Sequence, residues 1–265
     1  MNARPEGLDQ RDYVQSLERG LSVLLAFADH HPQLTLTEIA VITGLSRPTV
    51  RRLLLTFEAL GFVHAEGRKF SLTPQVLTLG YAYLNSLDLT AIAQPVMEHI
   101  VAELHETCTL ATLDRSDIVY ISRISTRRIS SLSLVIGTRL PAYASAMGQV
   151  ILADLMPAGL QRYLEITELA PITPHTIRTE TALRERLAQV RERGWAEVDQ
   201  ELETGLRTIA APVRGSDGRV FAGLGVSSTA ATMQELRGRH LTLLREGAAE
   251  ISRRLGSEFS TRVPN

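Results

Sequence analysis

The spacing of apolar positions changes several times along this chain, and each change marks a new kind of element. From about Val14 to Ala28, Leu17, Leu21, Val23, Leu24 and Phe27 return at helical spacing, and His30, His31 and Pro32 close the segment. The stretch LTLTEIAVITGLSRPTVRRLLLTFEALGFV, Leu34 to Val63, then reads as two helices joined by a tight turn. Thr37 is the expected N-cap of the first helix. Gly44 stands where a positive φ is wanted, and Ser46 caps the second helix. Pro48 falls in that helix's first turn, where a missing N–H costs little. Val50, Leu53, Leu54, Phe57 and Leu60 follow at spacings of three and four and predict one buried face. After Gly61, FVHAEGRKFSLT alternates as a strand pair with its turn near Glu66 and Gly67.

Thr73 and Pro74 signal a new helix running to about Leu87, PQVLTLGYAYLNSL, apolar on nearly all sides. Such a helix must be buried on more than one side. We read it as a linker that packs on a second copy of itself, with a core helix of either domain as the alternative. Thr90 is the expected cap of a helix to about Glu106, with Ile92, Val96, Ile100, Val101 and Leu104 inward. The period then shifts to two. TCTLATLD and DIVYISRI predict strands joined at Asp114–Asp117, SSLSLVIG predicts a third ending at Gly137, and Arg127 and Arg128 fall in the loop before it. A loop then runs into a helix beginning near Ser145. The 179–194 helix turns Leu183, Leu187 and Val190 inward and presents a charged face to solvent. Trp195 opens a strand, followed by an acidic loop and two further strands around a Gly-Ser-Asp-Gly turn. A last helix opens on a Thr232–Glu235 capping box, buries Leu236, His240, Leu243, Leu244, Ile251 and Leu255, and ends at Gly256. The order from residue 90 predicts an α+β domain built on an antiparallel sheet, able to enclose one small molecule.

Charge sharpens the reading of the first third. The molecule carries a net charge of −1, so nucleic-acid affinity has to come from a local patch. From Ser46 to Lys69 there are five basic residues, Arg47, Arg51, Arg52, Arg68 and Lys69, against Glu58 and Glu66. Arg47, Thr49, Arg51, Arg52 and Thr56 share the polar face of the second helix, as a recognition helix in the major groove requires. Arg68 and Lys69 flank the strand-pair turn, as a wing contacting phosphates would. An ordinary helix hairpin with a solvated basic face is the alternative; the strand pair directly after it favours DNA. The single cysteine, Cys108, excludes an internal disulfide and a zinc cluster and reads as a buried strand residue. The seven histidines show no metal-like grouping. No apolar signal core opens the sequence and no run approaches a membrane span, so the expectation is a cytoplasmic protein without metal or cofactor.

Two segments have the chemistry to hold a small ligand. The small residues Ala146, Met147 and Gly148 after Ser145 would let an anion reach free helix N–H groups, although close packing on the sheet explains them equally well. Asp199, Glu201 and Glu203 form the dense acidic cluster. They could act as acid and base, but no nucleophile elbow, phosphate loop or neighbouring histidine accompanies them, and a solvated loop is the simpler account. We therefore expect a binding protein and not an enzyme.

The winged segment, the linker, and the stretches GTRLPAYASAMGQV, VDQELETGLRTIAAPVRG and FAGLGVSS together resemble the IclR family of bacterial transcriptional regulators. DYVQSLERGLSVL, FSLTPQVLTLGYAYLNS and DIVYISRISTRRI resemble, more narrowly, the regulators of protocatechuate, p-hydroxybenzoate and β-ketoadipate catabolism. The resemblance implies residues 1–12 as a disordered N-terminus, 13–73 as a winged helix-turn-helix, 74–89 as a linker helix and 90–258 as a GAF/PAS-like effector domain. It implies a homodimer or dimer of dimers, operator DNA as partner, and a small organic acid as effector. The DNA-binding set is Thr37, Ser46, Arg47, Pro48, Thr49, Arg51, Arg52, Arg68 and Lys69. The effector-binding set carried over by position is Ser145, Ala146, Met147, Asp199, Glu201, Leu206, Thr208, Gly225 and Ser227. Many relatives carry cysteine where Thr208 stands and some carry serine where Gly225 stands, so Gly225 suggests more room and a larger effector. An aromatic acid or its ring-cleavage product is the expected ligand, with a keto acid such as glyoxylate or pyruvate as the alternative. Asp199 or Glu201 would accept a phenolic hydroxyl, and Arg127 and Arg128 could pair with a carboxylate or be solvated.

Overall fold

The computed structural model describes residues 11–27, 32–80, 89–125 and 135–261. The chain divides into two compact units, Met1–Tyr83 and Leu84–Asn265. In the first, α1 (Gln15–Leu25), β1 (Leu34–Thr35), α2 (Leu36–Thr43), α3 (Arg47–Ala59), β2 (Val63–Glu66) and β3 (Lys69–Leu72) follow in order. The three strands form an antiparallel sheet in the order β1-β3-β2, with Leu34 opposite Phe70 and Glu66 opposite Lys69. Val23, Phe27, Leu34, Ile39, Val50, Leu54 and Val63 make the core, and Leu53, Phe57 and Phe70 pack at its margin. Gly44 ends α2 at φ 68°, and Ser46 caps α3 with Pro48 in the first turn, as the sequence requires.

Three expectations change here. The cap of α2 is Thr35, which forms a reciprocal box with Glu38, so Thr37 lies exposed inside the first turn. The two-residue strand β1 ends directly at that cap, which sets the helix start earlier than the apolar pattern suggests. Leu60 is exposed at the end of α3. Leu17 and Leu21 are also exposed: with Val14 and Leu25 they form one apolar stripe on α1, while Gly20, Val23, Ala26 and Phe27 face the core. Beyond β3, Thr73 accepts a hydrogen bond from the Gln75 N–H and helical turns begin at Pro74. The remainder of the expected linker, from residue 81, lies outside the described residues, as do the expected helix end at His30 and His31, most of the expected N-terminal tail, and Arg127 and Arg128.

The second unit is built on a six-stranded sheet in which every pairing is antiparallel. Its elements are α4 (Leu89–Leu104), β4 (Thr107–Asp114), β5 (Asp117–Ile124), β6 (Arg139–Pro141), α5 (Ala146–Asp154), α6 (Pro157–Glu165), α7 (Glu180–Arg193), β7 (Ala196–Asp199), β8 (Arg207–Arg214), β9 (Val220–Ser228) and α8 (Leu241–Thr261). The strand order is β6-β5-β4-β9-β8-β7. Both faces are covered. Cys108, Leu110, Ile209, Val213, Leu224 and Val226 point to a core shared with α4 and α8. Ala111, Ile118, Tyr120, Val198 and Ala210 point to a second core shared with α5, α6 and α7. Double coverage explains why β8 and β9 read as nearly continuous apolar runs.

Here too the boundaries move. The third strand is Arg139–Pro141; Ile136 and Gly137 form a turn, with residues 126–134 outside the described set. Thr90 stands inside α4, whose described part is Leu89–Leu104. The last helix is interrupted at Gly238 (φ −84°, ψ −122°), a backbone conformation that no helix continues through. It resumes at Leu241 and reaches Thr261, past Gly256, and His240 and Leu243 are only half-buried.

Most of the charged face of α7 is exposed, Glu180, Glu185, Arg191 and Glu192 among it, but Arg186 is drawn inward. Arg186 on α7 donates to Glu201 at 2.8 Å, and Glu201 is only 3% exposed, so this member of the acidic cluster is not solvated, whereas Asp199 is exposed. Thr173 and Thr176, both buried, close over it by donating to the carbonyls of Gln200 and Glu201. Burial pushes the Glu201 pKa above the ordinary carboxylate value, against the pull of Arg186. The folded state therefore keeps this proton to higher pH than the unfolded chain does. Its contribution to stability is full below the unfolded value of about 4.3 and is lost as pH rises through the raised folded value. Glu201→Gln removes that titration. The melting temperature of the wild type minus that of the variant is expected to fall as pH rises above about 4.3, the unfolded carboxylate value. A difference independent of pH in thermal melts would refute this.

Candidate DNA-binding face and effector site

The N-terminus of α3 is held by its own first turn. The Ser46 hydroxyl accepts from the Thr49 N–H at 3.4 Å and contacts the Thr49 hydroxyl at 2.9 Å. Pro48 supplies a preset φ there. With Val50 and Leu54 anchored in the core, Arg47, Arg51 and Arg52 are turned outward and exposed. The wing turn is Gly67-Arg68, with Gly67 at φ 61°, and Arg68 and Lys69 are exposed on it. None of these five cations joins an ion pair among the described residues. Five uncommitted cations on one helix start and one β-turn suit a polyanion carrying regularly spaced phosphates.

In the second unit the expected site residues fall into two groups. Ser145 caps α5, its hydroxyl accepting from the Gly148 N–H at 2.9 Å. Ala146 and Met147, the first two helical residues, are buried, and their N–H groups have no acceptor within the helix. The Met147 side chain lies over β9: a Cβ built on Gly225 would come within 2.9 Å of Met147 Cγ. The space expected above Gly225 is therefore taken by methionine and does not stand open. Thr208 and Ser227 pair across β8 and β9 with their hydroxyls 3.0 Å apart, and Ala210 pairs with Gly225 on the same face. Thr109, fully buried on β4, pairs with Gly225 from the other side. This face thus offers two helix N–H groups, a hydroxyl pair and small side chains.

Asp199 does not join them. It pairs with Arg207 at 3.0 Å, is exposed, and by strand alternation points to the opposite face from Val198 and Thr208. Glu201 keeps one oxygen on Arg186, and its Oε2 has no hydrogen-bond partner among the described residues. Leu206 is half-buried in the turn that precedes β8, its carbonyl accepting from the Gln200 N–H.

Two buried groups had no signal in the sequence. Gln149 donates to the Tyr143 carbonyl at 2.9 Å and leaves Oε1 without a partner among the described residues. Tyr143 and Tyr163 pin the segment before α5: Tyr163 Oη accepts from the Tyr143 N–H, and Tyr143 Oη donates to the Ala170 carbonyl. Burial pushes the Tyr163 phenol up to about 12, so it is a neutral hydrogen-bonding group. Cys108 is likewise pushed up to about 12 by burial and is not a nucleophile. No cluster of three or more metal-ligating side chains occurs among the described residues, and no described helix is long and apolar enough to cross a membrane.

Comparison with known proteins identifies the family. The family model described as Bacterial transcriptional regulator IclR C-terminal matches residues 81–253, and the IclR helix-turn-helix domain matches residues 16–67. The Pca regulon regulatory protein of Pseudomonas putida is 41% identical over 92% of this chain and 85% of its own length. The p-hydroxybenzoate hydroxylase transcriptional activator of Acinetobacter baylyi is 32% identical over 93% of each chain. The crystal structure of an IclR homolog from Microbacterium hydrocarbonoxydans, complexed with 4-hydroxybenzoate, covers 91% of this chain and 99% of its own, with a TM-score of 0.82 at 25% identity. These matches span both units and are regulators by name: the chain belongs to the IclR family of bacterial transcriptional regulators.

Proposed function

We propose that this regulator governs genes of aromatic catabolism from the cytoplasm, answering to an aromatic acid or its ring-opened dicarboxylate. The carrying observation is the buried start of α5. The N–H groups of Ala146 and Met147 are withdrawn from water without a helical acceptor, and a carboxylate satisfies both at once. The hydroxyls of Thr208 and Ser227 on the same sheet face suit a second polar end of the ligand. The relatives named for the Pca regulon and for p-hydroxybenzoate hydroxylase, and the homologue holding 4-hydroxybenzoate, support the same class of ligand. Operator contact falls to Ser46, Arg47, Pro48, Thr49, Arg51 and Arg52 at the start of α3, Thr37 on α2, and Arg68 and Lys69 on the wing. Effector binding acts by favouring one arrangement of a dimer, which the linker after Thr73 passes to the DNA heads. The exposed stripe Val14, Leu17, Leu21 and Leu25 supports the homodimer, because a solvated apolar helix face is stabilised by meeting its own copy.

Three outcomes test these readings. In a thermal-shift screen, protocatechuate, p-hydroxybenzoate or β-ketoadipate is expected to raise the melting temperature with concentration, and Ala146→Trp to abolish the shift while leaving operator binding intact. A shift with pyruvate or glyoxylate alone would move the protein to central metabolism. Arg52→Ala is expected to weaken operator binding about 10- to 100-fold and relax specificity, whereas Lys69→Ala weakens matched and scrambled sites alike. Identical footprint titrations for the two variants would remove that division of labour. Leu21→Glu is expected to shift sedimentation of the protein toward the monomer; an unchanged profile would place the interface elsewhere.

A further inference from the structure

We propose that Arg123 binds the effector's carboxylate, an assignment that rests on the organic-acid reading above. The argument begins with a defect in the sheet. Along β4, Leu110 pairs with Ser122 but Ala111 pairs with Tyr120, so β5 accommodates one extra residue, Ile121. A bulge of this kind inverts the alternation beyond it. Tyr120 packs in the core with α5, whereas Ile121 already belongs to the opposite core with α4 and α8. Past the bulge, Ile124 pairs with Cys108 and packs on that same α4 and α8 core. Arg123 pairs with Thr109 and therefore faces the α5 side.

That position has consequences for charge. Thr109 also pairs with Gly225, and Gly225 with Ala210, so Arg123 heads a cross-strand row that runs straight to the glycine beneath Met147. Two strand spacings separate Arg123 from Gly225, about 10 Å, and the intervening threonine is small enough for an extended guanidinium to reach over it. The Arg123 charge is felt on this face, where it lowers the Tyr120 phenol that burial pushes up to about 12. Arg123 is half-buried, yet it joins no ion pair among the described residues. Arg139, Arg186, Arg193, Arg207, Arg214 and Arg237 in the same unit are all paired. Thr109, Tyr120, Thr208 and Ser227, which share its face, are neutral, and the stretch TRRISSLSL at 126–134 contains no carboxylate. A partly desolvated guanidinium without a counter-charge is completed by an anion, and its planar fork fits a carboxylate with two hydrogen bonds. A ligand spanning from Arg123 to the Thr208–Ser227 end needs a polar group at each of its ends. That is the chemistry of a hydroxybenzoate or of a dicarboxylate.

The test compares each acid with its own amide, which keeps the shape and removes the charge. Binding of p-hydroxybenzoate, protocatechuate and β-ketoadipate, and of the corresponding amides, is measured by calorimetry on the full-length wild type, Arg123→Met and Arg123→Lys. The wild type is expected to prefer acid over amide by about 10- to 100-fold. Arg123→Met should lose that preference while holding the amide affinity and the ligand-free melting temperature, and Arg123→Lys should keep part of it. A preference that survives intact in Arg123→Met, or that is missing from the wild type, overturns the assignment of Arg123 alone. Failure of the wild type to bind any of the acids overturns the effector reading and the assignment with it.

Discussion

Where α5 sits is decided by two places at which no side chain fits. A Cβ on Gly148 would lie 2.2 Å from the Ala142 carbonyl oxygen, and one on Gly223 would lie 2.7 Å from the Met147 carbonyl oxygen. Backbone meets backbone at both, so the helix rides directly on β9 and not on a cushion of side chains. The small residues Ala111, Ala210 and Gly225 follow from that, because a helix so close leaves no thickness for larger ones. The bulk of the sheet's apolar volume is carried on the other face, by Leu110, Ile209, Val213, Leu224 and Val226. The same proximity withdraws the first N–H groups of α5 from water.

Partly buried charge supplies a different kind of order at the β7 edge. Glu197 lies between Arg193 at 3.1 Å and Arg237 at 2.7 Å, and the Arg193 guanidinium stacks 4.1 Å from the centre of the Trp195 ring. Glu201 and Arg186 add a deeper pair nearby. Pairs of this kind add little net stability, since the hydration each ion loses nearly cancels its attraction. Breaking one is costly, however, so they fix the position of α7 and of the segment interrupted at Gly238 against one sheet edge.

Periodicity made much of this legible. The buried residues of α3, α7 and α8 are largely those at apolar spacing, and Gly44, Ser46, Pro48 and the Thr232–Glu235 box act as punctuation should. The misreadings share one cause, which is that their determinants are distant in sequence. Thr35 takes the cap from Thr37 because β1 pairs with β3 more than thirty residues later. Glu201 looked solvated because its partner Arg186 sits on a helix that reads as amphipathic by itself. Arg123 was invisible because simple alternation from Ile118 and Tyr120 points it to the wrong face, and a one-residue bulge leaves no mark in composition. The helix start at Ser145, Ala146 and Met147 was legible from a run of small residues. Asp199 was not, because its face depends on the register with β8.

Of the 28 lysine and arginine side chains, Lys69 is the only lysine, and it stands exposed on the wing turn. Guanidinium groups keep their charge under all ordinary conditions, whereas an amine can be acylated and neutralised. Side-chain amine chemistry on this protein, whether by an enzyme or by a reagent, is thereby confined to one point on the wing. A fluorophore attached through lysine would report from that wing without any engineered residue, and acylation there would remove one positive charge and leave every arginine in place.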